Sequence, residues 1–272
     1  MNDILEQQSD TRVLLGSRNA ERGALARQTL IDQHPEWSDR VEVLEIDVSS
    51  DTSVTAAAAL VASKSHSLYG IVNNAGVGFG VGNLSDTLQV NTYGVRRVCE
   101  AFVPLLAPAG RIVNITSAAG PNFVSECSPE KQAFFVDKKI SWANLDSFMA
   151  ECVAIGKADE FAARGLGNGD SYGLSKACAN SYTLLLASEH PALLVSACTP
   201  GFIETDLTRA YAKAHQKSVA DMGLKTPAEG TRSAMFALFE ELAASGYYYG
   251  SDAKRSPLDR YRAPGAPEYT EP

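Results

Sequence analysis

Tyr172 and Lys176 form the pair of side chains in this sequence with the clearest chemical use. They stand four residues apart in Ser-Tyr-Gly-Leu-Ser-Lys, at the start of an apolar run. Residues at i and i+4 share one face of a helix. A positive charge beside a phenol favours the phenolate, so we expect Lys176 to lower the pKa of Tyr172 from its ordinary value of about 10. Such a phenol can give a proton to a carbonyl oxygen while hydride reaches the carbon.

This pair by itself is a weak signal, because an aromatic residue and a solvated lysine on an ordinary helix have the same spacing. Four further motifs strengthen the interpretation. In chain order they are Asn73-Asn74-Ala75-Gly76 after an apolar pair, Asn91 in Gln-Val-Asn-Thr-Tyr-Gly, Ile115-Thr116-Ser117, and Pro200-Gly201 with Thr205. The ordered set resembles the short-chain dehydrogenase/reductase family, which implies a Rossmann-like α/β fold and an oxidoreductase.

The resemblance implies a catalytic role for each of four residues. Ser117 would bind the substrate carbonyl oxygen, and Tyr172 would donate the proton. Lys176 would lower the pKa of Tyr172 and bind the nicotinamide ribose. Asn91 would distort its helix and position a water molecule that relays protons to the lysine. The competing interpretations are a strand-terminal hydroxyl for Ser117 and a plain surface asparagine for Asn91.

Candidate cofactor-binding residues follow the predicted strands, because open α/β sheets bind ligands at the carboxyl ends of their strands. Asp47 and Val48 resemble the pair that receives the adenine ring, and Asn74 lies in a tight turn. Ile203 and Thr205 resemble the loop that holds the nicotinamide carboxamide. Tyr172 and Lys176 complete this set. A capping aspartate is the competing interpretation of Asp47.

Arg18 favours NADP over NAD as the cofactor. A carboxylate at this place suits the ribose 2′-hydroxyl of NAD, whereas a guanidinium suits the 2′-phosphate of NADP. The chain has Ser17 and Arg18 after its first predicted strand, and the next acidic residue is Glu21. We therefore expect NADP, with a solvated loop charge as the alternative role of Arg18.

Alternating strands and helices must position these residues. Short apolar strands are predicted around residues 13–15, 41–46, 69–73, 111–116, 193–198 and 247–249, with helical segments between them. The alternation predicts an α/β fold with a parallel, doubly wound sheet in a single domain over residues 1–272. Residues 84–106 are predicted to be helical. The proline-bearing residues from about 251 to 272 predict an extended tail.

A long segment separates Ser117 from Tyr172, and it predicts a helical insertion over about 121–168. The segment contains Cys127-Ser128-Pro129-Glu130, which together with Arg18-Asn19-Ala20-Glu21-Arg22-Gly23 resembles the carbonyl reductase branch of the family. In that branch the insertion covers the helix face that other members use to dimerise. The resemblance therefore implies a monomer that reduces ketones, aldehydes or quinones.

The amino-acid composition limits the classes of partner that we expect this protein to bind. The net charge of −8 is opposite to that of surfaces that bind nucleic acid or anionic membranes. Five cysteines without a C-x-x-C motif and four scattered histidines predict neither a disulfide framework nor a metal site. With no apolar run of membrane-spanning length, we expect a soluble cytoplasmic protein that acts on a small-molecule carbonyl substrate.

The glycine-rich turn T-G-x-x-x-G-x-G that opens the family pattern has no counterpart in this sequence. In the family its backbone N–H groups hold the cofactor pyrophosphate. We therefore expect a chain that lacks the amino-terminal strand and turn, with weakened cofactor binding. The alternative function is a catalytically inactive or truncated member that acts, if at all, as a binding protein. An oxidative alcohol or steroid dehydrogenase would differ only in its substrate.

Overall fold

The computed structural model describes residues 1–64, 67–78, 82–155, 157–214 and 222–270. The chain divides into two compact units, which we describe separately. The first comprises Met1–Ser67 and Arg97–Leu105, and the second comprises Leu68–Arg96 and Leu106–Pro272. The single domain over residues 1–272 stays a prediction. Residue 156 of the predicted insertion and residues 271–272 of the predicted tail lie outside the described residues.

The first unit is built on two parallel strands that pair from Val13 with Val41 to Ser17 with Glu45. Its main elements, in chain order, are α1 (Asn2–Gln7), β1 (Val13–Ser17), α2 (Ala20–Gln33), β2 (Val41–Glu45) and α3 (Asp51–Ser63). Glycine lets α2 approach β2, because an added Cβ at Gly23 would lie 2.7 Å from Val43 Cγ1. One buried hydrophobic cluster of this unit contains Leu5, Trp37 and Val41.

The second unit contains a five-stranded sheet in the order β3-β4-β5-β6-β7. Its strands are β3 (Leu68–Asn73), β4 (Leu106–Ile115), β5 (Leu194–Cys198), β6 (Tyr247–Tyr249) and β7 (Arg255–Ser256). The first four pair in parallel, as the alternation of strands and helices predicts. This unit carries the serine, tyrosine and lysine that the sequence proposes for catalysis.

β7 lies within the segment that is predicted to be an extended tail from residue 251 onward. It pairs antiparallel with β6, joining Tyr248 to Ser256 and Tyr249 to Arg255. The Gly250 N–H donates to the carbonyl of Lys254 at 2.9 Å, and this bond closes a turn between the two strands. The sequence between these residues has no run of strand-forming side chains, so the pairing depends on the turn.

Further helices follow in the chain, and those between residues 119 and 163 lie in the predicted insertion. They are α4 (Leu84–Asn91), α5 (Tyr93–Phe102), α6 (Ala119–Ser125), α7 (Pro129–Phe135), α8 (Trp142–Val153), α9 (Ala158–Ala163), α10 (Ser171–Glu189), α11 (Asp206–Ala214), α12 (Pro227–Gly230) and α13 (Arg232–Phe239). From Arg97 onward, α5 belongs to the first unit. Within the described ranges, no helix combines the length and apolar character that a membrane crossing needs.

The segment predicted to be helical over residues 84–106 forms two helices that are divided at Thr92, directly after the residue that was expected to distort the helix. The helix ends at Asn91, because Thr92 leaves helical geometry with φ −125° and ψ −60°, and α5 starts at Tyr93. The Thr92 hydroxyl donates to the carbonyl of Ser175 at 2.9 Å. Contacts with α10, rather than local helix propensity, therefore decide where α4 ends.

α10 is the central helix of the second unit. Its residues from Gly173 to Thr183 are buried on every face, and it packs against α4, α6, α8 and β5. A helix that is buried all round holds its side chains firmly, because protein interiors are close-packed. The first two turns of this helix carry Tyr172 and Lys176.

Candidate active site

Ser117 and Tyr172 are joined through their side chains. The Ser117 side chain is within hydrogen-bonding reach of the Tyr172 phenol, and this interaction acts to lower the pKa of Tyr172. Ser117 lies just beyond the end of β4, and its oxygen also accepts from the Ala119 N–H at 3.2 Å. The structure thus brings together two residues that the sequence separates by the whole insertion.

Two glycines allow the close approach of α6 and α10 that this hydrogen bond requires. An added Cβ at Gly173 would lie 2.9 Å from the Cβ of Phe123, and one at Gly120 would lie 3.1 Å from the Ala177 nitrogen. Real Cβ atoms essentially never come within 3.0 Å of another heavy atom, so larger residues would push the helices apart. Because α6 follows Ser117 directly, this packing places the serine against the first turn of α10.

Asp170 determines where α10 begins. Its carboxylate accepts hydrogen bonds from the backbone N–H groups of Tyr172 at 3.2 Å and Gly173 at 2.9 Å. A carboxylate at an N-cap satisfies donors that have no partner within the helix. The sequence reasoning missed this role, although aspartate directly before a helix is a recognisable signal.

Lys176 is buried beneath Tyr172, with 5% of its surface exposed. Its Nζ lies 5.7 Å from the centroid of the Tyr172 ring and donates to the carbonyl of Ile115 at 3.0 Å. Burial lowers the pKa of Lys176 to about 8. The lysine therefore changes charge close to physiological pH.

The sequence led us to expect that Lys176 lowers the pKa of Tyr172, and this expectation is wrong. Burial raises the pKa of Tyr172; the hydrogen bond from Ser117 opposes that rise, and the charge of Asp170 adds to it. Desolvation penalises the charged form of a phenol, and here it outweighs the stabilisation of the phenolate. Lys176 directs a hydrogen bond to Ile115, so its ammonium already has a backbone acceptor.

Asn91 is buried, with 1% of its surface exposed, so its interpretation as a plain surface residue is wrong. Its Oδ1 accepts from the Val77 N–H at 2.9 Å, and its Nδ2 donates to the Val77 carbonyl at 2.9 Å. The same Nδ2 donates to Ser175 Oγ at 3.0 Å. Asn91 thus ties the turn after β3 to α10. Ser175 is a second residue that the sequence reasoning missed.

Gly76 lies between the side chains of Asn91 and Lys176. An added Cβ would be 3.3 Å from Asn91 Oδ1 and 3.5 Å from Lys176 Nζ. Asn74, earlier in the same turn, is exposed, and its N–H donates to the Val72 carbonyl at 3.0 Å. The turn therefore leaves room near the lysine that a larger residue at position 76 would reduce.

The loop that carries Ile203 and Thr205 is held by Thr208. The Thr208 hydroxyl donates to the Ile203 carbonyl at 2.6 Å, and its oxygen accepts from the Thr205 N–H at 2.9 Å. Ile203 is buried, whereas Thr205 is exposed at the start of α11. The hydroxyl of Thr205 is thus accessible, as a ligand-binding role requires.

Arg18, Asp47 and Val48 belong to the first unit, at the carboxyl ends of β1 and β2. Hydrogen bonds from the side chain and backbone of Ser49 lower the pKa of Asp47, and the charges of Arg18 and Arg97 add to this effect. The N-cap of α3 is Ser50, so the interpretation of Asp47 as the cap is wrong.

Arg97 is a further residue of this group that sequence reasoning missed. Its guanidinium donates to the Val48 carbonyl at 3.4 Å and to Asp51 Oδ1 at 2.6 Å. These bonds hold the backbone that follows β2. The position of Arg97 far along the chain offered no local signal of this contact.

The chain is similar to known dehydrogenases and reductases. A family described as short chain dehydrogenase matches residues 6–129. (+)-Neomenthol dehydrogenase from Arabidopsis thaliana is 30% identical over 227 residues, which cover 72% of this chain and 76% of that protein. The chain belongs to the short-chain dehydrogenase/reductase family. NADPH carbonyl reductase 1 from Mus musculus is 29% identical over 237 residues, covering 82% of this chain and 80% of that one.

Solved structures of the short-chain dehydrogenase/reductase family share the fold. Salutaridine reductase from Papaver somniferum has a TM-score of 0.72 and 23% identity, covering 87% of this chain and 90% of that one. NADPH-bound carbonyl reductase from chicken fatty liver has a TM-score of 0.60 and 21% identity, covering 90% and 87%. The predicted Rossmann-like α/β fold and the similarity to carbonyl reductases are confirmed, and this short-chain dehydrogenase/reductase is an oxidoreductase.

Proposed function

We propose that this protein uses NADPH to reduce a ketone, aldehyde or quinone to an alcohol. The observation that carries the proposal is that the Nζ of the buried Lys176 lies 5.7 Å from the centroid of the Tyr172 ring, while the Ser117 side chain interacts with the Tyr172 phenol. A hydroxyl and a phenol in contact can share one substrate oxygen, which is the geometry that proton donation to a carbonyl needs. The curated relatives named as NADPH carbonyl reductases support the same reaction.

The protonation state of Tyr172 favours the direction of reduction. Because burial raises its pKa, the phenol keeps its proton at neutral pH and is available as a general acid. Ser117 would hold the carbonyl oxygen beside that proton. NADPH, when bound, supplies the hydride. The product alcohol forms as Tyr172 gives up its proton.

Residues of the second unit suit the nicotinamide end of the cofactor. Lys176 is the candidate partner of the ribose hydroxyls, and the lack of a side chain at Gly76 leaves room near its Nζ. Asn74, Ile203 and Thr205 are the candidates for the nicotinamide and its carboxamide. Asn91 is the candidate for positioning a relay water, since it already holds the turn that carries Gly76.

In the first unit, Arg18, Asp47 and Val48 are the candidates for the adenosine end. The guanidinium of Arg18 suits the additional phosphate of NADP. Its charge is close enough to Asp47 to help lower the pKa of that carboxyl group. Arg18→Glu is expected to shift the preference from NADPH toward NADH.

We also propose a monomer, because the insertion covers faces of α4, α5 and α10 within the same chain. Trp142 packs edge-on against Tyr182 at 5.8 Å and Tyr93 at 5.6 Å between ring centroids. The Arg96 guanidinium lies 4.0 Å above the Trp142 ring. Sedimentation equilibrium of the purified protein measures the oligomeric state directly. A cytoplasmic location stays a prediction.

Fluorescence titration of NADPH and NADPH consumption with a quinone together test the proposed function. Saturable NADPH binding and turnover are expected. Tyr172→Phe should lower kcat by at least about 100-fold, since general acid catalysis contributes roughly 10²–10⁴-fold, and should lower the affinity for NADPH far less, as expected for a residue that is the proton donor and also a candidate cofactor contact. Tyr69→Phe is the matched control, because that hydroxyl donates to the Leu238 carbonyl away from Ser117 and Tyr172.

Two results would overturn the assignment. Full activity in Tyr172→Phe would remove Tyr172 from the mechanism. A folded protein without saturable NADPH binding would favour the alternative, a catalytically inactive binding protein.

A further inference from the structure

Thr199, the last residue before Pro200 and the proposed nicotinamide loop, is buried, and each of its polar atoms is hydrogen-bonded. It has 6% of its surface exposed. Its N–H donates to the Tyr249 carbonyl at 3.0 Å, and its carbonyl accepts from the Ser233 hydroxyl at 2.8 Å. Its Oγ1 accepts from the Gly201 N–H at 3.1 Å. Thr199 is therefore fixed to β6, to α13 and to the loop that it precedes.

The bond from Gly201 to the Thr199 hydroxyl holds the chain where it leaves the sheet. A side chain that binds a backbone N–H two residues later forms a turn that needs no neighbouring strand. Gly201 has a φ of 87°, a left-handed conformation that favours glycine. An added Cβ at this position would lie 3.0 Å from the Cβ of Ser251, which is itself 5% exposed. The loop that leads to Ile203 and Thr205 therefore starts in a defined direction.

The same end of β5 is bonded to the end of β4 that leads to Ser117. The carbonyl of Cys198, the residue before Thr199, accepts from the Thr116 N–H at 2.8 Å. Ser117 directly follows Thr116. Cys198 and Thr199 thus contact the neighbour of the proposed catalytic serine on one side and the start of the proposed nicotinamide loop on the other.

The hydrogen bonds of this loop matter most before a ligand binds. A loop that spends only a fraction of its time in the binding conformation binds its ligand with an affinity lowered by that fraction. β5 ends at Cys198, so the conformation of the chain just beyond it depends on bonds that side chains supply. The Thr199 hydroxyl supplies the first of these bonds.

We propose that Thr199 is a positioning residue, and that its hydroxyl holds residues 200–205 in the conformation that binds the nicotinamide end of NADPH beside Ser117. The proposal rests on the proposed reductase function. In this role Thr199 acts through the loop. Ser233 supports it, because its hydroxyl fixes the Thr199 carbonyl from α13.

Amide hydrogen exchange of the protein without cofactor tests whether the hydroxyl holds the loop. Thr199→Val removes the hydroxyl and keeps the branched shape of the side chain, whereas Thr199→Ser keeps the hydroxyl. The Gly201 N–H should exchange about 5-fold faster in Thr199→Val, the effect of losing one net hydrogen bond. In Thr199→Ser it should exchange close to the wild-type rate. NMR measures the exchange of this single amide.

Two ligands locate the effect within the cofactor site. Adenosine 2′,5′-bisphosphate lacks the nicotinamide and uses only the residues proposed in the first unit. The dissociation constant of NADPH, measured by fluorescence titration, should rise about 5-fold in Thr199→Val and less than about 2-fold in Thr199→Ser. The bisphosphate should bind wild type and both variants equally. The kcat at saturating NADPH should change less than the dissociation constant, because bound cofactor restores the loop conformation.

Ser233→Ala tests the same loop without changing the side chain of Thr199. It removes the bond to the Thr199 carbonyl, so it should weaken NADPH binding and leave bisphosphate binding unchanged. Thr87→Val is the matched control, because Thr87 is 4% exposed and its hydroxyl donates to the Asn83 carbonyl at 3.0 Å at the start of α4. It should leave the exchange at Gly201 and the affinity for NADPH at their wild-type values.

The exchange and binding results can each reject the role of Thr199. Wild-type exchange at Gly201, or wild-type NADPH affinity, in Thr199→Val would overturn the proposal. An equal loss of affinity for NADPH and the bisphosphate would also overturn it, because the cause would then be a general loss of structure. Faster exchange in Thr199→Val, together with no NADPH binding by the wild type, would instead reject the proposed reductase function and retain the role of Thr199 in holding the loop.

Discussion

Lys176 Nζ donates a hydrogen bond of 3.0 Å to the backbone carbonyl of Ile115, the last residue of β4. This bond ties the second turn of α10 to the strand that leads to Ser117. It also means that the ammonium has one backbone acceptor while it is otherwise desolvated. Because burial disfavours the charged form, the pKa of Lys176 falls from 10.5 to about 8.

The burial of Lys176 predicts a stability that rises with pH. Below pH 8 the folded and unfolded states both hold the proton, and the full cost of the buried charge is present. Between pH 8 and 10.5 the unfolded state keeps a proton that the folded state has lost, so stability increases with pH. Compared with Lys176→Met, the free energy of unfolding of the wild type should rise across this window by on the order of a few kcal/mol. Chemical denaturation at several pH values measures it.

Lys254→Met is the control for that experiment, because Lys254 is exposed in the turn between β6 and β7. This variant should follow the wild-type profile. If wild type and Lys176→Met had parallel pH profiles, the folded and unfolded states would hold this proton equally, and Lys176 would not be desolvated.

Removing the Ser117 hydroxyl should mainly lower the rate of the chemical step. Ser117→Ala deletes the donor to Tyr172, and with it the proposed contact to the substrate oxygen. We expect kcat to fall by about 10²–10³-fold, the effect of losing one such donor, with a smaller change in the affinity for NADPH. Steady-state kinetics with a quinone and NADPH titration measure the two quantities.

Ser125→Ala provides the comparison, since that hydroxyl donates to the Asn122 carbonyl within α6 and is exposed. It should retain wild-type kcat. A wild-type kcat in Ser117→Ala would show that the hydrogen bond to Tyr172 has no part in catalysis.

Replacing Asn91 should destabilise the second unit. Asn91→Ala removes three hydrogen bonds, two to the backbone of Val77 and one to Ser175. Each buried polar group left without a partner costs about 1–3 kcal/mol, so we expect a loss of about 3 kcal/mol in the free energy of unfolding. Denaturant titration followed by circular dichroism measures this loss.

Asn122→Ala, at an exposed position of α6, should change stability by less than about 0.5 kcal/mol. Equal stabilities of the two variants would mean that Asn91 does not hold the turn.

The Asp252–Arg262 pair predicts a loss of stability in acid. Burial raises the pKa of Asp252, but hydrogen bonds from the Gly265 N–H, Arg262 and the Lys254 N–H outweigh it and bring the pKa below 3.8. A carboxyl group with a depressed pKa stabilises the fold above its unfolded pKa, and this stabilisation is lost as pH falls through the folded value. Asp252→Asn should therefore cost about 2 kcal/mol at neutral pH, the effect of losing hydrogen bonds to a partly buried charge, and less as the pH falls below 3.8.

Thermal unfolding of wild type, Asp252→Asn and Asp259→Asn over an acidic pH series measures this difference. Asp259 pairs with Arg260 through partly exposed side chains, and such pairs contribute about 0–1 kcal/mol. Asp259→Asn should therefore resemble wild type at every pH. Equal effects of the two substitutions at neutral pH would contradict the buried character of the Asp252 pair.

Much of the fold could be predicted from local patterns. The strands at Val41–Glu45 and Leu194–Cys198 and the helix at Ala20–Gln33 have the lengths and apolar content that the alternation indicates. The helical insertion was also predictable, because its helices begin with Ser-Pro-Glu and other capping signals. Local residue preferences act over a few residues, so one sequence is enough to detect them.

Other features were beyond local patterns because they depend on residues far apart in the chain. The end of α4 depends on the bond from Thr92 to Ser175. The role of Arg97 depends on the backbone of Val48. No window of sequence contains both partners of any of these contacts.

The spacing of Tyr172 and Lys176 alone places both side chains on one face of a helix, because the α-helical repeat brings i and i+4 together. Three-dimensional packing was needed to bring Ser117 to Tyr172 and to set the direction of the Tyr172 pKa. A pKa depends on burial and on every neighbouring dipole and charge, and those neighbours come from β4, α6 and α10 together. The order of amino acids thus accounts for the chemical groups present, and the packing of the chain accounts for their protonation.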